Sequence, residues 1–183
     1  MKKKIRYNFN KGIKLHLACA NEPIRPVMSC IYFKDGYAIA SNGKILINAC
    51  LNEICNFSEE EKELLEGKLI SAKNFKEIIK HTIIEIEEDG FHAIYDDWDI
   101  KYKFATGDMK YPNYKEVISQ FKPGFAEKVL IDPLNIELIA DALNVSGGTR
   151  FHFPKDDSKG IKITFYDKEL SLSEALLMPK FDY

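Results

Sequence analysis

Residues 28–51, MSCIYFKDGYAIASNGKILINACL, predict three strands joined by two tight turns. The first turn is Lys34-Asp35-Gly36 and the second is Ser41-Asn42-Gly43-Lys44. Asn-Gly readily adopts the positive φ angles of a short hairpin, so the second turn reverses the chain sharply. We therefore expect an antiparallel meander, with strands over 28–33, 37–40 and 45–51.

The same pattern occurs three times along the chain, as a short strand, a helix and then three strands. The copies start near residues 4, 67 and 127, and a period of about 60 residues is longer than that of most solenoid repeats. The predicted helices are 12–20, 72–81 and a third beginning at Pro133 with Asp132 as its cap. The other predicted strands are 4–9, 68–71, 83–87, 91–96, 99–105, 128–131, 150–153, 161–166 and 170–178. This organisation predicts an α+β fold.

Two smaller helix signals accompany the repeat. Ser58 and Glu61 form a capping box, which predicts a linker helix ending near Gly67. In the third helix, Leu134, Leu138, Ile139 and Ala142 form the predicted apolar face, and Gly147-Gly148 follows as a C-terminal cap.

Composition excludes several classes of protein. The chain has 183 residues, 45% of them hydrophobic, and a formal net charge of −2, so it can bury a core but carries no global field that attracts nucleic acid or anionic lipid. No apolar run has the length of a membrane span, and the N-terminal residues lack the pattern of a signal peptide. We expect a cytoplasmic protein without a membrane partner, whose cysteines (Cys19, Cys30, Cys50 and Cys55) are reduced thiols.

Catalytic and metal-binding patterns are weak. Asp96, Asp97 and Asp99 form the densest carboxylate group, but solvated acids at the tip of a hairpin explain them better than a Mg²⁺ site. The four histidines have no zinc-type spacing, and the phosphate-binding glycine motifs are missing from the sequence. We therefore predict a non-enzymatic protein without metal or cofactor, and keep as an alternative an enzyme whose residues are scattered along the sequence.

Four segments resemble the bacterial sliding clamp, the β subunit of DNA polymerase III. Arg25-Pro26-Val27-Met28 resembles an Arg-Pro-Val-Leu-like entry to a strand, and Ala40-Ser41-Asn42-Gly43-Lys44 resembles an Ala-Thr-Asp-Gly-His turn. Residues 111–117, Tyr-Pro-Asn-Tyr-Lys-Glu-Val, resemble Phe-Pro-Asp-Tyr-Arg-Arg-Val, and residues 176–179 resemble a terminal Val-Met-Pro. The segments occur in the family's order on a β-α-β-β-β repeat, which is the family's half-domain, with antiparallel sheets and helices on one face.

The resemblance implies a domain organisation and an assembly. Residues 1–120 correspond to a complete clamp-like domain of two half-repeats, and residues 121–183 to a third half-repeat, about half of a clamp protomer in total. The unpaired third unit is expected to expose an apolar helix face and a sheet edge, which favours a homo-oligomer.

The resemblance also implies a groove for short peptide motifs of polymerases or clamp loaders. A small apolar cleft with flexible methionines and a glycine suits such a ligand, and the alternative for each apolar residue is ordinary core. The positions that match the family's groove are Met28, Ser41, Gly43, Lys44, Ile45, Leu46, Leu176, Met178 and Pro179.

Clamp helices contact double-stranded DNA through phosphates and without reading bases, so a basic helical stripe is expected. Lys73, Lys76 and Lys80 recur at helical spacing, whereas Phe75, Ile78 and Ile79 are expected to face the sheet. The other candidate DNA-binding residues are Lys11, Lys14 and Arg25. A solvated lysine face is the alternative, and Glu137 and Asp141 make the third helix unsuitable for phosphate.

These observations predict a sliding-clamp-like processivity or scaffold factor of DNA replication. It would bind DNA without sequence preference and present a peptide groove to polymerase-type partners. The alternative is a clamp-derived interaction module that does not bind DNA.

Overall fold

The computed structural model describes residues 8–10, 12–21, 25–95, 97–107, 110–124, 129–155 and 159–180. The strands are β1 (Cys30–Lys34), β2 (Tyr37–Ser41), β3 (Ile45–Cys50), β4 (Leu69–Ser71), β5 (Glu85–Glu87), β6 (Gly90–Ile94), β7 (Asp99–Lys103), β8 (Thr149–His152), β9 (Ile161–Phe165) and β10 (Glu174–Leu177). The α-helices are α1 (Leu51–Ile54), α2 (Glu59–Leu64), α3 (Ala72–Ile78), α4 (Tyr114–Ser119) and α5 (Pro133–Leu143), and 3-10 helices cover Leu15–Ala18, Pro26–Ser29 and Lys168–Leu170. The α+β class predicted from the sequence is confirmed.

Every strand pair in the described residues is antiparallel. One sheet has seven strands in the order β4-β1-β2-β3-β10-β9-β8, and a second has three in the order β5-β6-β7. This sheet therefore contains strands from all three copies of the repeat: β1, β2 and β3 from the first, β4 from the second, and β8, β9 and β10 from the third. The predicted meander forms β1, β2 and β3, and its first turn has positive φ at both Asp35 (52°) and Gly36 (78°).

A cluster of phenylalanines joins the two sheets. Phe33 of β1 and Phe91 of β6 have ring centroids 6.2 Å apart, and Phe9 lies 4.8 Å from Phe75 of α3. All four side chains are fully buried. Burying each such side chain stabilises the fold by roughly 1.5–3 kcal/mol, so this cluster fixes how the sheets pack.

The helices are shorter than predicted. The helix expected over 12–20 is a single 3-10 turn, Leu15–Ala18, and the one expected over 72–81 ends at Ile78. The third begins as predicted, because the Asp132 side chain accepts a hydrogen bond of 3.1 Å from the backbone N–H of Leu134. It ends at Leu143, and the next residue, Asn144, has a left-handed φ of 51°, so Asn144 and not Gly147-Gly148 is its C-terminal cap. The capping box of Ser58 and Glu61 is confirmed at the start of α2.

Several strand boundaries also differ from the prediction. Met28 and Ser29 belong to the 3-10 helix that Pro26 opens, and the strand begins at Cys30. The last strand covers only Glu174–Leu177, because a 3-10 turn precedes it. Residues 129–131 form no strand, and the predicted strand over 4–9 lies mostly outside the described residues. No described helix combines the length and apolar character needed to cross a bilayer.

The sequence predicted that the third copy would leave its apolar helix face exposed. In the structure this helix, α5, packs against the first copy of the repeat instead. Ile139 and Ala142 of α5 are buried in the main core, and the Ala142 carbonyl accepts a 2.7 Å hydrogen bond from the backbone N–H of Lys14. Leu134 was assigned to the same apolar face but is 64% exposed, because it lies in the first turn of the helix. β8, in contrast, does form one edge of the seven-stranded sheet.

Candidate functional site

An apolar cavity of about 260 Å³ lies where three distant segments meet: the turn region from 25 to 46, the segment from 111 to 117, and the end of β10. Its lining residues are Arg25, Met28, Ser41, Gly43, Ile45, Leu46, Tyr111, Pro112, Tyr114, Val117, Leu176 and Met178. Seven of the nine residues expected to form a peptide groove are among them. Lys44 and Pro179 are not among the lining residues.

The pairing of β3 with β10 creates the first part of this cavity. Leu46 lies directly opposite Leu176 in the antiparallel register, so both side chains reach the same face of the sheet. Just beyond the strand pair, the backbone N–H of Met178 donates a 2.9 Å hydrogen bond to the carbonyl oxygen of Lys44. Lys44 therefore contributes through its backbone, because its carbonyl holds the end of β10 against the turn.

The turn between β2 and β3 is shaped by its own side chains. The Ser41 hydroxyl donates to the carbonyl of Ile45 at 2.7 Å and accepts from the N–H of Gly43 at 3.1 Å. Gly43 has a φ of 87°, a left-handed value that residues with a Cβ adopt only with strain. At the same cavity, the Arg25 guanidinium donates a weak hydrogen bond of 3.9 Å to the sulfur of Met28. The structure thus places Arg25 at the cavity lining.

The segment from 111 to 117 forms one side of the cavity, although none of its residues was predicted to belong to the groove. Tyr111 stacks on Tyr32 with ring centroids 5.0 Å apart, and the hydroxyl of Tyr114 donates to a carboxylate oxygen of Asp35 at 3.2 Å. The Asn113 side chain caps α4, which brings Val117 to the rim. The signal that would have located this side is the aromatic-Pro-Asn-aromatic motif itself, since two of its aromatic rings are buried here.

The cavity has a buried floor and an exposed rim. Met28, Leu46, Leu176 and Tyr111 are buried, whereas Met178 is 37% and Val117 42% exposed. The Tyr111 hydroxyl is buried without a hydrogen-bond partner among the described residues, and burial raises the pKa of this phenol well above its ordinary range. A ligand's apolar side chain would therefore contact hydrocarbon and aromatic surface, with mobile methionine at the rim.

Lysines from two elements converge around His16. The pKa of His16 is lowered, first by burial and then by the positive charges of Lys76, Lys14 and Lys80. These three lysines and Lys73 are exposed, and together we name them the lysine face. Phe75 and Ile78, predicted to face the sheet, are fully buried, and Ile79 is partly buried.

Acidic residues reduce the positive charge of this region. Glu77 forms an ion pair of 2.7 Å with Lys80 in the same helix segment. Glu137 and Asp141 are exposed on α5, which packs against the 3-10 helix that follows Lys14. The lysine face is therefore a local patch, and the candidate Lys11 lies outside the described residues.

The carboxylate cluster considered in the sequence has a structural explanation at Asp99. The Nε2 atom of His92 lies 2.8 Å from Oδ2 of Asp99, and its Nδ1 lies 2.8 Å from Oε1 of Glu87. Asp97 is exposed, and Asp96 lies outside the described residues. Asp99 thus belongs to a surface network across β5, β6 and β7.

Solved structures of bacterial sliding clamps have the same fold. The clamp of Bacillus subtilis superposes with a TM-score of 0.64 at 13% identity, covering 100% of this chain and 66% of that one. The DNA polymerase III subunit beta of Bartonella birtlesii, bound to griselimycin, gives 0.62 at 14% identity over 94% of this chain and 62% of its own. The C. crescentus beta sliding clamp gives 0.62 at 13% identity over 100% and 67%.

The chain therefore has the sliding-clamp fold but covers only about two thirds of the length of these proteins. No family model matches the sequence, and no curated protein sequence matches it. At these identities the likeness establishes the fold alone.

Proposed function

We propose that this protein is a non-enzymatic, sliding-clamp-like factor of DNA replication that binds a short peptide motif of a polymerase or clamp-loader type partner in the apolar cavity. One observation carries the proposal: seven residues assigned to a peptide groove from the sequence lie around a single cavity. These residues come from segments far apart in the chain, so their convergence is a property of the fold.

The cavity suits a peptide in its physical character. Its floor is apolar and its rim includes Met178, whose flexible side chain adapts to different ligand shapes. An extended or helical motif would insert one or two apolar side chains, the recurring way in which grooves recognise short segments. Burial of those side chains would supply most of the binding free energy.

The lysine face is the proposed contact with double-stranded DNA. Lys14, Lys76 and Lys80 all lie near His16, whose pKa is lowered first by burial and then by their charges, so they form a local positive patch in a protein whose net charge is −2. Lysine contacts to phosphates carry no base information, so binding is sequence-independent and sensitive to salt.

Self-association is part of the same proposal. β7 and β8 each end a sheet within the described residues, and strands with unpaired backbone groups readily pair with another chain. If β7 of one copy of the protein pairs with β8 of another, the contact is head-to-tail. Repeated head-to-tail contacts form a closed ring when the rotation between neighbouring copies divides a full turn evenly. We also propose that residues 1–120 form one clamp-like domain and that residues 121–183 form a further half-repeat.

A peptide titration tests the cavity. A fluorescein-labelled peptide with a polymerase clamp-binding motif is titrated by fluorescence anisotropy into the wild type, Met178→Ala and a control, Leu172→Ala. Leu172 is also exposed but lies outside the cavity lining. We expect Met178→Ala to weaken binding about tenfold, a loss of about 1.4 kcal/mol, and Leu172→Ala to leave it unchanged. Equal binding by all three proteins, or no binding by any of them, rejects the proposal.

A further inference from the structure

The apolar cavity continues into two further depressions along the surface. The first, of about 120 Å³, shares Val117, Leu176 and Met178 with the cavity. The second, of about 490 Å³, shares Gln120 and Lys159 with the first. Shared lining residues make the three spaces one continuous groove.

Three lysines line the far end of this groove, and in the sequence Asp156 and Asp157 lie between two of them. Lys122, Lys155 and Lys159 line the last depression, and we name them the basic end. All three are exposed, and none forms an ion pair with a described residue. No Asp or Glu occurs among the described residues that line the groove, although the protein as a whole is slightly acidic.

Backbone hydrogen bonds hold two of these lysines side by side. The N–H of Lys155 donates to the carbonyl of Lys122 at 3.1 Å, and the N–H of Gly124 donates to the carbonyl of Phe153 at 3.0 Å. A Cβ at Gly124 would lie 2.4 Å from the Cα of Lys155, so the close approach requires glycine. Like charges on adjacent strand segments destabilise a fold, and an anion between them removes that repulsion.

We propose that the groove selects a partner peptide in which the apolar motif residues are flanked by carboxylates, with the apolar side chains in the cavity and the acidic ones at the basic end. The inference rests on the proposed function of the cavity and adds the chemistry of its ligand. A peptide is favoured over DNA as the occupant because the basic end is continuous with an apolar space that base pairs and phosphates do not fill.

The direction of the bound peptide does not need to be known for the test. Labelled peptides carry the same motif with Asp-Asp-Glu at the N-terminus, Asp-Asp-Glu at the C-terminus, the matching Asn-Asn-Gln extensions, or no extension. They are titrated into the wild type, Lys122→Gln/Lys155→Gln/Lys159→Gln, and a control, Lys103→Gln/Lys110→Gln/Lys168→Gln, with the same change of charge on exposed lysines outside the groove.

We expect one acidic peptide to bind the wild type and the control variant about five- to tenfold more tightly than its amide counterpart at low salt. The groove variant should lose this preference while binding the unextended peptide as the wild type does. The preference should also fade in the wild type at high salt, a measurement that needs no variant.

The inference is overturned if neither acidic peptide is preferred, or if the groove variant keeps the preference. It is also overturned if the groove variant weakens binding of a DNA duplex but not of the acidic peptide. Failure of the proposed function is distinct, because the unextended peptide then binds no protein or is insensitive to Met178→Ala.

Discussion

The backbone N–H of Met178 donates a 2.9 Å hydrogen bond to the carbonyl oxygen of Lys44. This bond joins the end of the last strand to the turn between β2 and β3, and the apolar cavity lies beside the junction. The two sides of the candidate site are therefore held by backbone pairing, which does not depend on the side chains that would contact a ligand. Side chains that line the cavity can therefore be replaced without breaking the backbone hydrogen bonds that hold it together.

The conformation of the turn predicts the effect of replacing its glycine. Gly43→Ala places a Cβ on a backbone with a φ of 87° and should destabilise the protein by roughly 1–2 kcal/mol. Space is not the cause, because the nearest atom to such a Cβ is the Met28 methyl carbon at 3.9 Å. Urea unfolding measures the change, and Lys44→Ala in the same turn should alter stability by less than about 0.5 kcal/mol. An unchanged midpoint for Gly43→Ala contradicts the prediction.

The unpartnered hydroxyl of Tyr111 predicts a stabilising substitution. Tyr111→Phe removes a buried donor that bonds nothing among the described residues, so the free energy of unfolding should rise by up to about 1 kcal/mol. Tyr114→Phe is the matched control, because it removes a hydroxyl bonded to Asp35 and should lower stability by about 0.5–1.5 kcal/mol. Thermal unfolding of both variants measures these changes. A lower free energy of unfolding for Tyr111→Phe would show that the Tyr111 hydroxyl has a hydrogen-bond partner.

The network around His92 predicts a pH-dependent contribution to stability. Hydrogen bonds to Asp99 and then to Glu87 raise the pKa of His92 in the folded state. The stabilisation is thus complete below the unfolded pKa of about 6.5 and disappears as pH rises through the higher folded value. The difference in unfolding free energy between wild type and His92→Gln should follow this course from about pH 5 to about pH 9.

The opposite sign is expected for His16. Its lowered pKa makes the folded state bind fewer protons than the unfolded state as pH falls through about 6.5, so His16→Gln should relatively stabilise the protein at acid pH. Parallel pH profiles for the two histidine variants would contradict one of the two assignments, and the sign of the shared slope would show which.

DNA binding should depend steeply on salt. With three or four phosphate contacts, the logarithm of the association constant should fall against the logarithm of salt concentration with a slope of roughly −3. Lys73→Glu/Lys76→Glu/Lys80→Glu should abolish binding of a duplex in a mobility-shift assay, whereas Lys103→Glu/Lys110→Glu/Lys168→Glu, with the same change of charge, should retain most of it. Tight binding that ignores salt, or equal losses in both variants, rejects the lysine face.

Self-association should be visible in sedimentation. Since β7 and β8 both end sheets in the described part of the chain, we expect the sedimentation coefficient to rise with protein concentration. The N–H of Lys101, in the middle of β7, points away from β6, so Lys101→Pro should reduce association through that edge, while Lys101→Thr should not. A monomer at all concentrations contradicts the prediction.

Local signals predicted much of the secondary structure. The turn residues at 34–36 and 41–44 placed β1, β2 and β3, and Asp132 with Pro133 placed the start of α5. Such signals act within a few residues, so they are written in the sequence itself. Because of this short range, they did not predict that the 12–20 segment forms only a 3-10 turn. The length of that turn depends on its packing against α3 and α5, which are distant in the sequence.

The amino-acid sequence by itself determined the meander of β1, β2 and β3 with its turns, the starts of α2, α3 and α5, and the resemblance on which the groove residues were chosen. Only the tertiary structure decided that β10 pairs with β3, that Tyr111 and Val117 complete the cavity, and that a basic end continues it. The physical reason is that strand pairing is a long-range hydrogen-bonded contact whose partner is selected by the packing of the whole core. No spacing along the chain between Leu46 and Leu176 encodes that choice.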